Sequence, residues 1–461
     1  MDVVGQVKQF VEPESVAIIG ASRRTGEEAF NILENLLGYG YEGRIYPVNP
    51  NTSEILGVKT YPNVEELPEK VDLAVISLPR PLVPGVVKEC IDKRISAITI
   101  VTQGLSDAND AEGKRLQEEI DNLIKGKETR ILGPNTFGTA NANINFSSSF
   151  IGAKMERIPV GLICQTGAFF EGFANMRVIG KGIDLGNACD IDFADGLEYF
   201  ERDADTKVIA LHIEGVKDGR RFLTVVKRVA KKKPIVALKT GRSGQAAQAA
   251  QSHTGSLTGR DEIWDTALKA SGVIRASDIE DFCDTMRAFC VLPLMGGRKI
   301  GVVTYTGGYG IMGADACQKF GLELAELSST TAEALGALSP SWLAIGNPVD
   351  IWPGTMISRH SLFQMEEAAV RNLLCDEQVS AVLCIFNPYK PALYIGLRQL
   401  VEEVTKDYPD KPLIFHLFGP LGDEAKNELE KTGKTLAFPS SDRAIRALAH
   451  LADYAQFRTK C

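Results

Sequence analysis

The fold is decided near the amino terminus, by the stretch Val16-Ala-Ile-Ile-Gly-Ala-Ser-Arg-Arg-Thr-Gly26. Its apolar start predicts a strand buried on both faces, and its glycines predict a tight turn leading into a helix that starts near Glu27. Free backbone N–H groups at such a helix start favour a bound phosphate. Taken alone the pattern is weak, because every dinucleotide-binding fold contains it.

Short apolar runs alternate with helical patterns along almost the whole chain, which predicts α/β units with doubly wound parallel sheets. The first unit contains the runs Ser15–Ile19, Arg44–Val48, Leu73–Leu78, Ser96–Val101 and Thr129–Leu132. The second contains Val160–Cys164, Gly182–Leu185, Val208–Ile213 and Pro234–Leu238. The third contains Ile300–Tyr305, Leu322–Ala325, Ala381–Phe386 and Pro412–Leu417.

These runs predict three domains, over residues 1–145, 146–292 and 293–461. The stretch Pro293-Leu-Met-Gly-Gly-Arg298 has the composition of a linker before the third domain. The second and third domains both begin with a strand, a Gly turn and a helix, which is compatible with a distant internal duplication.

The overall composition excludes several classes of protein. A net charge of -8 over 461 residues, without a basic run, argues against a nucleic-acid partner. No stretch approaches the roughly 18 consecutive apolar residues of a membrane helix, and the first ten residues do not resemble a signal peptide. The nine cysteines are scattered without a CxxC spacing. We therefore expect reduced thiols and a cytoplasmic location.

The end of the second strand bears on which nucleotide the first turn binds. An NAD site needs a carboxylate there for the ribose hydroxyls, whereas Tyr46-Pro-Val-Asn-Pro-Asn51 offers none. Arg23, Arg24 and Arg44 are expected to supply positive charge near the first turn instead, which suits a ligand with an additional phosphate, such as CoA. On the residues alone, CoA, NADP and no ligand at all remain open.

Further motifs give the chain a family resemblance. With Asn49-Pro50 beside Gly20-Ala-Ser-Arg23, the first domain resembles the CoA-binding domain of the succinyl-CoA synthetase superfamily. Over nearly the whole chain, the order of motifs resembles the alpha subunit of ADP-forming (NDP-forming) acetyl-CoA and acyl-CoA synthetases. These motifs are Val101-Thr-Gln-Gly-Leu105, Gly133-Pro-Asn-Thr-Phe-Gly138, Cys164-Gln-Thr-Gly-Ala168, Gly186-Asn-Ala-Cys-Asp-Ile-Asp192, Ile213-Glu-Gly215, Ser252-His-Thr-Gly-Ser-Leu-Thr-Gly259 and Gly346-Asn-Pro-Val-Asp350.

The resemblance implies a Rossmann-like first domain, flavodoxin-like second and third domains, and the activity of an acid–CoA ligase. Acyl-CoA, phosphate and ADP would give acid, CoA and ATP through an acyl phosphate and a phosphohistidine. It also implies a separate ATP-grasp beta subunit, in an α2β2 assembly, that brings ADP or ATP and Mg²⁺. A CoA-binding regulatory or interaction protein with a vestigial site is the main alternative. An NADP-linked oxidoreductase and a relative of the protein acyltransferases are weaker ones.

Several residues are candidates for the site. His253 lies in a Gly- and Ala-rich segment, and its neutral imidazole is a good nucleophile at pH 7. Glu214 follows the strand Val208–Ile213 at the edge where α/β sites form. The resemblance implies that His253 carries the phosphate and that Glu214 accepts one of its ring N–H groups. It also implies that phosphate is bound at a helix start by Thr166, Gly167 and Ala168. CoA would be bound by Gly20, Ala21, Ser22, Arg23, Arg24, Thr25, Gly26, Asn49, Pro50, Asn51, Thr102, Gln103 and Gly104.

The chain departs from the family pattern at two places. Glu27-Glu28 follows the first turn where relatives commonly have Gly-Lys, so Arg23 or Arg24 is expected to supply the cation. Phe169-Phe170 follows the second Gly turn, and aromatic side chains there are expected to reshape the acyl pocket. Acetate itself is then a doubtful substrate. No chemistry is assigned to the third domain.

Overall fold

The structure, a computed structural model, describes residues 2–26, 28–68, 70–172, 179–246, 260–357 and 360–460. The chain divides into two compact units, Met1–Ala276 and Ser277–Cys461. Three mostly parallel sheets confirm the predicted α/β class. The finer limits at residues 145 and 292 stay a prediction. Within the described ranges, none of the helices is both long and apolar enough to span a membrane.

The first sheet is built from the amino-terminal elements. In chain order these are α1 Val3–Val11, β1 Ser15–Ile19, α2 Ile32–Tyr39, β2 Arg44–Val48, the hairpin strands β3 Glu54–Ile55 and β4 Val58–Lys59, β5 Leu73–Ile76, a 3₁₀ turn Arg80–Leu82, α3 Val83–Asp92, β6 Ala97–Ile100, α4 Ala111–Ile124 and β7 Arg130–Leu132. Five parallel strands pair in the order β2-β1-β5-β6-β7. The order reverses between β1 and β5, and ligands bind outside the carboxyl ends of strands at such a switch point.

Two expectations about this sheet are wrong. The helix after the first turn begins at Ile32 rather than near Glu27, because Asn31 caps it by accepting hydrogen bonds from the N–H groups of the second and third helical residues. Arg44 does not lie near the turn. It pairs with Ser15 at the amino end of the sheet, and the turn leaves from the carboxyl end.

The second sheet completes the first compact unit. Its elements are β8 Thr139–Asn141, a 3₁₀ turn Ala142–Ile144, β9 Phe146–Ser147, β10 Val160–Cys164, α5 Ala168–Glu171, β11 Lys181–Asp184, α6 Phe193–Arg202, β12 Val208–Ile213, α7 Gly219–Ala230, β13 Ile235–Lys239, α8 Asp261–Ala270 and β14 Ile274–Ala276. The strand order is β14-β13-β12-β10-β11-β8-β9. The last two strands are antiparallel and extend the parallel part at β11. The switch point lies between β10 and β12. The turn Thr166–Ala168, which is predicted to bind phosphate and is called the phosphate turn below, follows β10, and Glu214 follows β12.

The third sheet forms the core of the second compact unit. Its elements are α9 Ile279–Val291, β15 Lys299–Thr304, α10 Gly307–Lys319, β16 Glu323–Leu324, α11 Ser329–Gly336, β17 Val349–Asp350, α12 Trp352–Ile357, α13 Leu362–Cys375, β18 Ala381–Phe386, α14 Pro391–Asp407, β19 Leu413–Leu417, α15 Gly422–Glu430, β20 Leu436–Phe438 and α16 Ser441–Thr459. Five strands run parallel in the order β16-β15-β18-β19-β20, and β17 also pairs with β15. The parallel strands therefore have the same doubly wound order in all three sheets. In each sheet, the first parallel strand along the chain lies between the second and the later ones.

Candidate functional site

The turn after β1 is held in a shape that only glycine fits. Gly20 has a φ of +87°, and a Cβ placed on it would come within 2.2 Å of the carbonyl oxygen of Ser77. Its N–H and that of Ala21 both donate to the carbonyl of Val48, at 3.1 and 3.3 Å. Asn49 Nδ2 donates to the Ala21 carbonyl over 2.9 Å. The predicted Asn-Pro corner and the Gly turn therefore lie together, at the switch point of the first sheet.

The rest of this turn is fixed by two residues that the sequence reasoning missed. Asn31 Nδ2 donates to the carbonyls of Ser22 and Arg24, at 3.1 and 2.8 Å. The N–H of Gly26 donates to the carboxylate of Glu34, at 3.0 and 3.1 Å to its two oxygens. The spacing Asn-x-x-Glu at the start of α2 is a helix-capping signal that marks both residues. Four of the residues predicted to bind CoA face solvent on this turn, namely Arg23, Arg24, Thr25 and Gly26.

The loop after β6 joins the same edge of the sheet. The hydroxyl of Thr102 donates to the carbonyl of Leu78, which follows β5, over 2.7 Å. Gly104 has a φ of +83°, and its carbonyl accepts from the guanidinium of Arg80 over 3.0 Å. Gln103 between them is exposed. The predicted CoA residues of this loop thus border the switch point on the β5 side.

The segment Gly133–Gly138 connects this edge to the second sheet. The N–H of Asn135 donates to the carbonyl of Thr102 over 3.1 Å, and the N–H of Phe137 donates to the carboxylate of Asp184 over 2.7 Å. The Phe137 ring lies so close to Gly167 that a Cβ there would meet it at 2.4 Å. One short segment therefore touches both the predicted CoA loop and the predicted phosphate turn.

Asp184 lies beneath the phosphate turn, at the end of β11. It is buried and accepts from the N–H of Phe137 and, over 3.4 Å, from the N–H of Gly186, while the thiol of Cys164 lies 3.7 Å away. Burial raises its pKa to about 6. This carboxyl group ties Gly133–Gly138 to the base of the phosphate turn.

The phosphate turn itself presents Thr166 and Gly167 half-buried and Ala168 exposed. The helix that it opens, α5, has four residues and ends at Glu171, before a capping Gly172. So short a helix has only a small dipole. Anion binding here would depend mainly on the N–H groups of the turn rather than on the dipole.

Glu214 follows β12 next to this turn. Glu214 is 8% exposed, and its backbone N–H donates to the side-chain oxygen of Gln165 over 2.8 Å. Its carbonyl accepts from the ammonium group of Lys239 over 2.9 Å. The ammonium group lies 5.4 Å from the centre of the Trp264 ring, and burial lowers the pKa of Lys239 to about 8. The predicted partner of Glu214, His253, lies outside the described residues.

Phe169 and Phe170, expected to shape an acyl pocket, are both buried. The Phe169 ring lies 4.9 Å from that of His212, centre to centre. The Phe170 ring packs edge-on to that of Phe137 at 6.5 Å, and a Cβ on Gly182 would lie 3.3 Å from it. Both side chains are therefore packed inside the protein.

Comparisons with known proteins show the family to which the chain belongs. Three family models match the chain: a CoA binding domain over residues 14–142, a succinyl-CoA ligase like flavodoxin domain over 157–289 and a ligase-CoA domain over 300–456. The chain is 36% identical to acetate–CoA ligase [ADP-forming] I subunit alpha of Pyrococcus furiosus, over 97% of both chains. It is 35% identical to acetate–CoA ligase [ADP-forming] of Methanocaldococcus jannaschii, over 99% of this chain and 64% of that one.

A solved structure extends the similarity to three dimensions. The dinucleotide forming acetyl-coenzyme A synthetase 1 of Candidatus Korarchaeum cryptofilum, in complex with phosphate and ADP, superimposes with a TM-score of 0.87. The two sequences are 30% identical, and the match covers 98% of this chain and 97% of the other.

Proposed function

The chain belongs to the alpha subunits of the ADP-forming acyl-CoA synthetases, and from this premise we propose that His253 carries the phosphoryl group between its two substrates. The chain is an acid–CoA ligase. In the ATP-forming direction, acyl-CoA, phosphate and ADP give the free acid, CoA and ATP.

The proposed chemistry runs in three transfers. A phosphate oxygen attacks the carbonyl carbon of the thioester, the carbon–sulfur bond breaks, and CoA leaves as a thiolate that takes up a proton. A ring nitrogen of His253 then attacks the phosphorus of the acyl phosphate, and the acid leaves as its carboxylate. Finally an oxygen of ADP attacks the phosphohistidine and regenerates the imidazole.

One observation carries this proposal: the CoA edge and the phosphate turn are neighbours. Asn135 bonds to Thr102 on the CoA side, and the Phe137 ring lies against Gly167 on the phosphate side. CoA bound at the Gly20 turn, with its adenosine end near Asn49–Asn51, would bring its thioester toward the turn that is proposed to bind phosphate. Holding two reactants together in this way removes much of the entropic barrier to their reaction.

Glu214 is proposed to accept one ring N–H of His253. That bond would fix which ring nitrogen attacks, and the carboxylate would balance the positive charge of the phosphorylated ring. Its backbone is fixed on both sides, by Gln165 and by Lys239. A group so placed needs little reorganisation when charge develops on the ring.

The nucleotide is proposed to bind on a separate ATP-grasp beta subunit, which would bring ADP or ATP and Mg²⁺ into an α2β2 assembly. Two observations support a partner. The Pyrococcus relative is named as an alpha subunit, and the Methanocaldococcus relative is a longer chain of which this one covers 64%. A cytoplasmic location also remains a proposal, supported by the free thiols of the eight described cysteines.

The test is phosphorylation of the chain by acyl-CoA and labelled phosphate, without ADP. We expect one labelled residue, with the acid-labile and base-stable bond of a phosphoimidazole. His253→Asn should abolish the label, and Glu214→Gln should slow labelling by roughly 10²–10⁴-fold. The exposed residues His360 and Glu119 provide matched controls, as His360→Asn and Glu119→Gln.

Two outcomes would contradict the mechanism. One is an acid-stable label on a serine or threonine, and the other is full labelling of His253→Asn. CoA binding without any labelling would favour the alternative of a regulatory CoA-binding protein with a vestigial site.

A further inference from the structure

Four phenylalanine rings form a continuous row in the first compact unit. The ring centres of Phe30 and Phe150 are 6.0 Å apart, those of Phe150 and Phe137 are 4.7 Å apart, and those of Phe137 and Phe170 are 6.5 Å apart. Each pair is edge-to-face. The row starts at Phe30, which is 60% exposed, passes through two half-buried rings and ends at the fully buried Phe170.

The row runs from the turn Gly20–Gly26, which is proposed to bind CoA and is called the CoA turn below, to the phosphate turn. Phe30 immediately precedes Asn31, whose side chain bonds to the carbonyls of Ser22 and Arg24 in the CoA turn. At the other end, the Phe137 ring lies against Gly167. The three rings that retain some exposure, Phe30, Phe150 and Phe137, are called the aromatic wall below.

Phe30 occupies its position at a conformational cost. Its φ is +48°, in the left-handed region that a bulky side chain rarely adopts. Backbone strain of this kind collects at ligand sites. Burial does not compensate for it, because most of the Phe30 side chain faces solvent. A bound apolar group would cover this surface.

We propose that the aromatic wall binds the acyl group of the acyl-CoA substrate, and that the preferred acids carry an aryl group. This inference rests on the proposed function, because the wall lies between the sites proposed for CoA and phosphate. The thioester carbon must sit between these sites, so its acyl group must lie beside the rings that join them. An aryl group can extend the edge-to-face row, whereas the methyl group of acetate would leave most of the wall in water.

This assignment replaces Phe169-Phe170 as the source of acyl specificity. Phe170 is fully buried, and it affects the proposed acyl site only through its ring contact with Phe137. Phe169 packs on His212. The residues of the wall are spread over three loops, so no local motif groups them in the sequence.

The experiment is calorimetric titration of the purified chain with CoA, acetyl-CoA and phenylacetyl-CoA. We expect phenylacetyl-CoA to bind about 10-fold or more tightly than acetyl-CoA. Phe137→Ala and Phe150→Ala should each bring the ratio of these two affinities close to one. Because both affinities are measured on the same variant, their ratio does not change when the variant binds CoA more weakly in general. Phe30→Ala changes an exposed side chain and tests the wall without disturbing the interior.

Phe457→Ala, a change of a half-buried ring in α16, is the matched control and should keep the wild-type ratio. Equal affinity of the wild-type chain for the two acyl-CoAs would overturn the aromatic wall and leave the proposed function standing. So would a ratio that survives all three wall substitutions. A wild-type chain that binds neither CoA nor acyl-CoA would contradict the proposed function itself.

Discussion

The side-chain oxygen of Gln165 accepts the backbone N–H of Glu214 over 2.8 Å, and so the turn after β10 fixes the residue that follows β12. It also accepts from the N–H of Gly215 over 3.1 Å. Both turns lie at the switch point of the second sheet, where their strands are neighbours. Gln165 is therefore a positioning residue for the carboxylate proposed to orient His253.

Gln165→Met is expected to slow phosphorylation of the chain by about 10- to 100-fold. Methionine fills a similar volume but leaves two buried N–H groups without an acceptor, so Glu214 loses its fixed position. The measurement is the rate of labelling by acyl-CoA and labelled phosphate, with CoA affinity measured beside it. Gln378→Met, at an exposed position, is the control. An unchanged labelling rate in Gln165→Met would show that this contact does not position Glu214.

Gly20→Ala is expected to abolish CoA binding, because its Cβ would be forced to within 2.2 Å of the Ser77 carbonyl oxygen and displace the turn. Gly40→Ala is the matched control. Gly40 also has a positive φ, +74°, but a Cβ there has no neighbour within 4 Å. Calorimetric titration with CoA should therefore separate the two variants, while NAD and NADP should not bind to the wild-type chain. NADP binding as tight as that of CoA would contradict the ligand assignment.

Glu366 is expected to make the stability of the chain sensitive to pH. Burial in the core of the second compact unit raises its pKa from 4.5 to about 8, and its Oε2 has no hydrogen-bond partner among the described residues. Because the pKa of Glu366 is higher in the folded chain, this group makes its full contribution to stability below its pKa in the unfolded chain, near 4.5. That contribution is lost as the pH rises through about 8.

The check is thermal unfolding of wild type and Glu366→Gln between pH 5 and pH 8, followed by tryptophan fluorescence. The neutral amide does not titrate, so the melting temperature of the variant should gain on that of wild type as the pH rises. Glu377→Gln, at an exposed carboxylate, should show a constant difference. A constant difference for Glu366→Gln as well would show that this carboxyl group does not titrate in the folded state as described.

The purified chain alone is expected to show no acyl-CoA-dependent synthesis of ATP, because the proposed nucleotide site belongs to the beta subunit. Addition of a purified ATP-grasp subunit should restore turnover, and ATP formation measures it. Full turnover by the pure chain would overturn the proposal of separate subunits.

Much of the fold could be predicted because parallel strands covered by helices are apolar along their whole length. Ser15–Ile19, Arg44–Val48, Val160–Cys164, Val208–Ile213 and Ala381–Phe386 have the bounds expected from the sequence. The hairpin β8–β9 was missed, because its short strands contain Thr, Asn and Ser and lack an apolar run. The three-residue strands β14 and β20 were also missed, whereas β7, of the same length, was predicted as part of Thr129–Leu132.

The candidate site was only partly predictable, because motifs identify residues that touch ligands better than residues that support them. The Gly20 turn and Asn49 lie together as expected. No sequence motif marks Asp184, whose burial depends on the packing of Gly133–Gly138 beside β11. No motif marks Lys239 either, because its contact with the Glu214 carbonyl depends on the pairing of β12 with β13.

The antiparallel hairpin β8–β9 has a practical consequence for dividing the chain. Its two strands lie on either side of residue 145, the proposed end of the first domain, and both belong to the second sheet. A fragment starting at residue 146 would lose β8 and expose the backbone of Lys181–Asp184 as a new sheet edge. Unprotected edges of this kind recruit strands from other molecules. Such a fragment should aggregate on expression, whereas one that starts before Thr139 would keep its edge covered.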